Sequence, residues 1–287
     1  MHDQIAQAAE RSRMRRLVLV ASLSLAAALP ARAAEMPIFD AHLHYNEEAF
    51  GDYPLPRVLE LFRRNNVRGI LANSRPNMGT HRLLEAKERG DLWVVPFLRP
   101  YKVRADRQSW FKDPLNYAFI VEELPRRPYV GIGEFHISAS DAAGEQVKSL
   151  VNLAVERGLW LHAHTDEAGI ETLLRHNPKA KIVWAHTGFG TTVETVSAML
   201  NAHPSLMCEL SYRGGIVAGD QLTAPWRDLF VRHPDRFLLG SDTWINERWA
   251  SYNELMQGYR TWLAQLPQPV AEKIAYRNAE ALFGRGN

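Results

Sequence analysis

Eight short apolar runs separated by amphipathic segments predict an α/β fold, a (β/α)8 TIM barrel with its chemistry at the C-terminal strand ends. Three observations lead there. There are eight runs, and most are near-continuous rather than alternating, as strands buried on both faces of a parallel sheet read. The roughly 250 residues that hold them match the size of one such barrel. Polar residues with metal affinity follow several runs and would meet on one rim. A doubly wound open sheet shares the first two features and is the alternative.

The chain of 287 residues opens on a segment that does not belong to this pattern. Arg11, Arg13, Arg15 and Arg16 precede an apolar run from Leu17 to Leu29, and Ala31-Arg32-Ala33 has the small-residue pattern of a cleavage site. A basic start, a short apolar core and an A-x-A end predict a secretory signal peptide over residues 1–33. The run is shorter than the roughly 20 residues a spanning helix needs, so no stable membrane anchor is expected. The expected location is exported, periplasmic or secreted. Residues 34–287 would form a single domain.

The chain holds 34 basic and 32 acidic residues. Residues 1–33 carry five of the former and two of the latter, which leaves 29 and 30. A mature chain so balanced has no basic footprint for nucleic acid. The only cysteine, Cys208, excludes an intramolecular disulfide and has no neighbouring group that marks it as a nucleophile.

The expected strands are residues 38–43 (IFDAHL), 69–73 (GILAN), 92–98 (LWVVPFL), 129–135 (YVGIGEF), 159–164 (LWLHAH), 181–186 (KIVWAH), 205–211 (SLMCELS) and 236–241 (RFLLGS). Helical patterns lie between them. Val58, Leu59, Leu61 and Phe62 form an apolar face behind Pro54 and Pro56. Val147, Leu150, Val151, Ala154 and Val155 form another, closed by Gly158. Asn177-Pro178 and His203-Pro204 close the next two helices, and a terminal pair spans about 246–264 and 269–283.

The polar residues fall at strand ends. His42 and His44, one residue apart, share a strand face and present two imidazoles together. Glu134 and His136 end the fourth strand, His162 and His164 the fifth and His186 the sixth, while Asp242 follows the eighth. Five of eight strands thus deliver a metal-capable side chain to one rim. Arg99 and Arg213 end the third and seventh, where they could clamp an anionic group of a substrate. Tyr101, Tyr212, Trp244 and Trp249 are either pocket walls or core. His81, His176, His203 and His233 fall away from the rim and read as structural. Asp40 reads as a hydrogen-bonding anchor for the first strand.

The ordered set HxH, Glu, His, His, Asp resembles the amidohydrolase superfamily, and specifically its amidohydrolase-related branch of metal-dependent barrel enzymes. The ending Asn278-Ala279-Glu280-Ala281-Leu282-Phe283 is similar to the helix that closes many members. The resemblance implies that His42, His44, His186 and one of the fifth-strand histidines bind metal. His162 is favoured there, because it follows three strand residues much as His186 follows its own strand; His164 and His136 would then face substrate. It implies Asp242 as metal ligand and proton shuttle, and Glu134 as bridge, ligand or support for a histidine. The cofactor would be one or two divalent metal ions, zinc first among them. The expected activity is hydrolysis of an ester, lactone or amide of a small molecule by metal-activated water. Decarboxylation or hydration of a small carboxylic acid, and phosphoester hydrolysis, are the alternatives. A homo-oligomer is compatible with the sequence.

Overall fold

A computed structural model describes residues 35–284; the expected signal peptide lies outside them. Among the described residues no helix is long and apolar enough to cross a membrane. Eight strands pair in sequence order: β1 (Ile38–Leu43), β2 (Val67–Ala72), β3 (Trp93–Leu98), β4 (Gly131–His136), β5 (Trp160–His164), β6 (Lys181–Trp184), β7 (Leu206–Glu209) and β8 (Phe237–Leu238). All seven pairings are parallel. The last strand returns to the first. Ala41 N donates to Leu239 O at 2.7 Å, and Ser241 N to His42 O at 3.1 Å. Sequential order with closure makes this a (β/α)8 barrel; a doubly wound sheet would reverse its order at a switch point.

The helices follow from the sequence pattern. α1 (Leu55–Arg64) has proline in its first turn and buries Val58, Leu59 and Phe62. α2 (Met78–Glu85) and α3 (Pro114–Glu123) follow β2 and β3. α4 (Glu145–Glu156) buries Val147, Leu150, Val151 and Ala154, and Gly158 beyond it adopts φ +67°, the left-handed conformation that favours glycine after a helix. Asp166 caps α5 (Glu167–His176) by accepting from Gly169 N at 2.8 Å. α6 (Val193–Ala202), α7 (Ala224–Arg232) and α8 (Tyr252–Leu263) complete the ring.

Two expected elements differ. The eighth strand is two residues long instead of six, because its chain leaves the ladder at Gly240 to bring Ser241 and Asp242 against β1. The terminal pair is broken into short pieces: Asn246–Ala250 precedes α8, and a π-turn at Lys273–Arg277 separates Gln268–Glu272 from Asn278–Phe283. Phe283 lies 6.0 Å from both Phe39 and Trp160, residues near the starts of β1 and β5. The opposite end of the barrel is left to the polar residues.

Candidate active site

Three histidines converge with one nitrogen inward. His42 Nδ1 donates to Glu209 Oε2 at 2.8 Å, His44 Nδ1 to Asn73 O at 2.8 Å, and His186 Nδ1 to Ser211 O at 2.8 Å. These bonds place a proton on each Nδ1 and turn each Nε2 inward. The inward atoms then meet acceptors. His42 Nε2 and His44 Nε2 are 3.1 Å apart. His42 Nε2 is 3.5 Å from Glu134 Oε2 and 3.6 Å from Asp242 Oδ1; His44 Nε2 is 3.3 and 3.1 Å from the same atoms. His186 Nε2 is 3.6 Å from Glu134 Oε1 and 3.7 Å from Asp242 Oδ2. Donor atoms of this kind face one another only with a proton or a metal ion between them. Tetrahedral coordination with 2.0–2.2 Å bonds sets neighbouring donors roughly 3.3–3.6 Å apart, so this spacing fits a metal.

The donors form adjacent groups. His42, His44, Glu134 and Asp242 make one, and Glu134, His164 and His186 another. Glu134 belongs to both, with Oε2 toward His42 and His44 and Oε1 at 2.7 Å from His164 Nδ1. It occupies a register slip between Gly133 and Phe135 on β4, and such irregularities re-aim a side chain. His186 and Asp242 sit at φ +54° and +45°, sparsely populated for such residues and a form of strain that clusters at functional sites.

Charge accounts for the protonation pattern. Burial disfavours the charged forms of His42, Glu134 and Asp242, yet mutual attraction overcomes it. Despite that cost, Glu209, Glu134 and Asp242 hold the His42 imidazole well above its usual range. Glu134 is buried, but His42 and a hydrogen bond from His164 keep its carboxyl well below the usual range. Asp242 is likewise lowered against burial, chiefly by His42 and a hydrogen bond from His44. Arg99 supports Glu134 from below: its Nη1 donates to Glu134 Oε2 at 3.2 Å and to Asn73 Oδ1 at 2.9 Å, and Nη2 to Tyr101 Oη at 2.6 Å.

On β5 the two histidines take different places, and His164 lines the cavity as expected. His164, not His162, touches Glu134. Both histidines share a face, but His162 lies one barrel layer deeper, fully buried, with its ring 4.4 Å from that of His42 and no hydrogen-bond partner on either nitrogen. It groups instead with His42 and Glu209. His136 stacks on His164 with ring centroids 4.0 Å apart, and burial pushes its pKa down to about 2, so it is neutral.

A cavity of about 320 Å³ opens over the cluster, lined by Glu134, Asp242, His136, His164, Phe189 and Trp244, together with five arginines. Arg99 is among them, but its guanidinium is engaged as described. Arg213 is not: it donates to the carbonyls of Phe189 and Thr191, away from the cavity. Trp249 is fully buried among Tyr53, Phe62 and Tyr252, and is core. Asp40 anchors β1, accepting from Ser241 N at 2.9 Å and Tyr252 Oη at 2.9 Å. His81, His176 and His203 bond Tyr129, Ala142 O and Glu171, away from the cluster.

Sequence reasoning missed Glu209, which ends β7 with no exposed surface and accepts from His42 Nδ1, His186 N and Ser211 Oγ. Its signal was present: an acid inside an apolar strand requires a partner. It also missed Asn73, whose side chain joins Arg99 to the Glu134 backbone, and Arg248, which pairs with Asp242 and lies 3.6 Å from the Tyr212 ring centroid.

A parallel barrel with a buried histidine and carboxylate cluster at its C-terminal rim fits a metal-binding enzyme of this architecture. The family model described as amidohydrolase matches residues 121–285, more than half of the chain. The chain belongs to the amidohydrolase family, and membership makes it an enzyme of the hydrolase or decarboxylase type. Among solved structures it is similar to an amidohydrolase from Burkholderia multivorans with bound zinc (19% identity, 86% of this chain and 98% of that one, TM-score 0.56). It is similar to a protein from Pseudomonas putida described as a 2-pyrone-4,6-dicarboxylic acid hydrolase (17%, 88% and 99%, TM-score 0.60). A third is 2,6-dihydroxybenzoate decarboxylase complexed with 2,6-dihydroxybenzoate (12%, 86% and 98%, TM-score 0.55). At these identities the likeness speaks for the fold. A search of the curated proteins finds no match.

Proposed function

We propose that this enzyme is a metal-dependent hydrolase of a carbonyl-type bond, an ester, lactone or amide, in a small molecule, and that it holds two divalent ions. The observation that carries this is the sharing of Glu134, whose two oxygens face two separate sets of nitrogens. His42 Nε2, His44 Nε2, Glu134 Oε2 and Asp242 Oδ1 would hold one ion. His164 Nδ1, His186 Nε2 and Glu134 Oε1 would hold the other. Zinc suits the donors, and zinc is bound in the Burkholderia neighbour. When bound, such ions polarise a carbonyl and lower the pKa of water toward ~7.

The chain's own residues supply the rest. Asp242, ionised and in contact with both nitrogen sets, accepts the proton of the attacking water and delivers it to the leaving group. Glu209 and the Asn73 and Ser211 carbonyls fix the histidine tautomers, a role that metal ligands commonly require of their neighbours. Phe189 and Trp244 wall the cavity and limit bulk water.

Elemental analysis of the purified protein tests the reading. Two equivalents of divalent metal are expected, falling to one or fewer in Glu134→Gln; a protein that takes up none would overturn it. A decarboxylase is the second reading, favoured by the arginines on the cavity wall. Incubation with small aromatic and aliphatic acids, measuring carbon dioxide against hydrolysis of esters and lactones, separates the two.

A further inference from the structure

The cavity over the cluster departs from the charge balance of the chain. The whole sequence has 34 basic and 32 acidic residues, yet this one cavity gathers Arg75, Arg99, Arg104, Arg107 and Arg248 against only Glu134 and Asp242. Two of the five are spent on those acids: Arg99 on Glu134 and Arg248 on Asp242. The other three stand on one side of the cavity, at the ends of neighbouring strands. Arg75 follows β2 and pairs with Glu48, whose side chain is 56% exposed. Arg104 and Arg107 lie on the turn Arg104–Gln108 after β3. Among the described residues neither has a carboxylate within ion-pair distance. The Arg104 guanidinium lies 4.8 Å over the Trp244 ring, which brings a planar donor and a flat wall together.

We propose that Arg75, Arg104 and Arg107 form an anion subsite for a carboxylate or phosphoryl group on the substrate, remote from the bond that reacts, with Trp244 as its wall. The proposal rests on the cluster being the reaction centre. It adds that the substrate is an anion held at two points: its reacting bond over Glu134 and Asp242, its charged end against the arginines. Guanidinium groups suit this because their fork of donors matches both carboxylate and phosphate oxygens. A positive cavity also raises the local concentration of such a substrate, an effect that falls with ionic strength.

The test is calorimetric titration of the full-length protein, metal-loaded and chelator-stripped, with glutarate, neutral glutaramide and inorganic phosphate. Glutarate or phosphate should bind both forms, weaken as salt is raised, and bind at least tenfold more weakly to Arg104→Gln/Arg107→Gln; glutaramide should not bind. The tighter of the two anions assigns the group as carboxylate or phosphoryl. Arg104 is exposed and Arg107 partly so, and a melting curve checks that the double variant folds. Equal binding of glutarate and glutaramide, or unchanged affinity in the double variant, would overturn the proposal. So would anion binding that vanishes on stripping the metal, since the ions alone would then hold the anion. Elemental analysis of the same samples keeps the two readings apart: absent metal with arginine-dependent anion binding sinks the metal centre and leaves the subsite standing.

Discussion

Replacing Glu209 by glutamine tests whether the cluster is held in shape for a metal. Both carboxylate oxygens of Glu209 receive donors. Oε2 accepts from His42 Nδ1 at 2.8 Å, His186 N at 3.1 Å and Ser211 Oγ at 3.0 Å, while Oε1 accepts from Ser211 N. A glutamine must turn its NH2 toward one of these sets. The milder choice keeps the carbonyl on the His42 side and sets NH2 against Ser211 N–H, leaving a buried donor unpaired at about 1–3 kcal/mol. The His42 ring also loses a charged acceptor. Substitution of such supporting partners commonly costs about 10–100-fold in metal affinity, or roughly 1.4–2.7 kcal/mol. Competition against a chromophoric chelator at pH 7.5 reads the affinity, and thermal denaturation of the metal-free protein reads stability separately. An affinity within twofold of the parent, with only the melting temperature lowered, would show that Glu209 fills space and does not orient His42.

Three further outcomes follow from the same geometry. Asp242→Asn should lower turnover by about 10²–10⁴-fold, the usual contribution of a general acid–base group, while elemental analysis still finds metal; unchanged turnover removes Asp242 from the proton transfer. Gly240→Ala sets a Cβ at 2.4 Å from both Glu209 Oε1 and His42 Cβ, and should cost about 1–3 kcal/mol by overpacking and weaken metal binding alongside Glu209→Gln. Parental stability and affinity there would show that the β1 to β8 spacing yields. Burial raises the Asp40 carboxyl from 3.8 to about 6, against the opposing bonds from Ser241 and Tyr252. A raised carboxyl contributes stability at low pH that is lost as pH climbs from 3.8 through 6, about 3 kcal/mol in all. Asp40→Asn does not titrate, so the stability difference should move in its favour by that amount across the interval; a flat difference contradicts the assignment.

What the sequence revealed and what it hid have separate physical origins. Strands buried on both faces must be almost wholly apolar, so β1 to β7 were readable within a few residues of their ends. His42, His44, Glu134, His186 and Asp242 stood out because each interrupts or follows such a run with a side chain that a core would otherwise exclude. Depth within the barrel is not written in a period of two. His162 and His164 share a face, and only the assembled layers show which one reaches Glu134. Loop direction is equally hidden: Arg213 follows β7 yet turns to backbone carbonyls, whereas Arg104 and Arg107, on an irregular turn with no periodicity to read, reach the cavity. Glu209 was the avoidable omission, since a lone acid in the run LMCEL announces a buried partner.

The same electrostatics fix how metal binding responds to pH. Against the cost of burial, Glu209, Glu134 and Asp242 keep His42 protonated well above its usual range. His186 is raised as well, with burial opposed chiefly by its hydrogen bond to Glu134. Glu134 and Asp242 are lowered and so already ionised at neutral pH. An ion that binds through the His42 and His186 Nε2 atoms must therefore displace protons from imidazoles and none from the carboxylates. Raising the pH toward the elevated His42 value removes that competition, so affinity climbs with pH, by up to tenfold per unit for each proton released. Calorimetry at pH 7 in buffers of different ionisation enthalpy counts the protons directly, and about one per ion is expected. Binding that releases no proton, with an affinity constant from pH 6 to 8, would mean that the inward Nε2 atoms are not the donors. The close approach of the His42, His44 and His186 Nε2 atoms to Glu134 and Asp242 would then need another explanation.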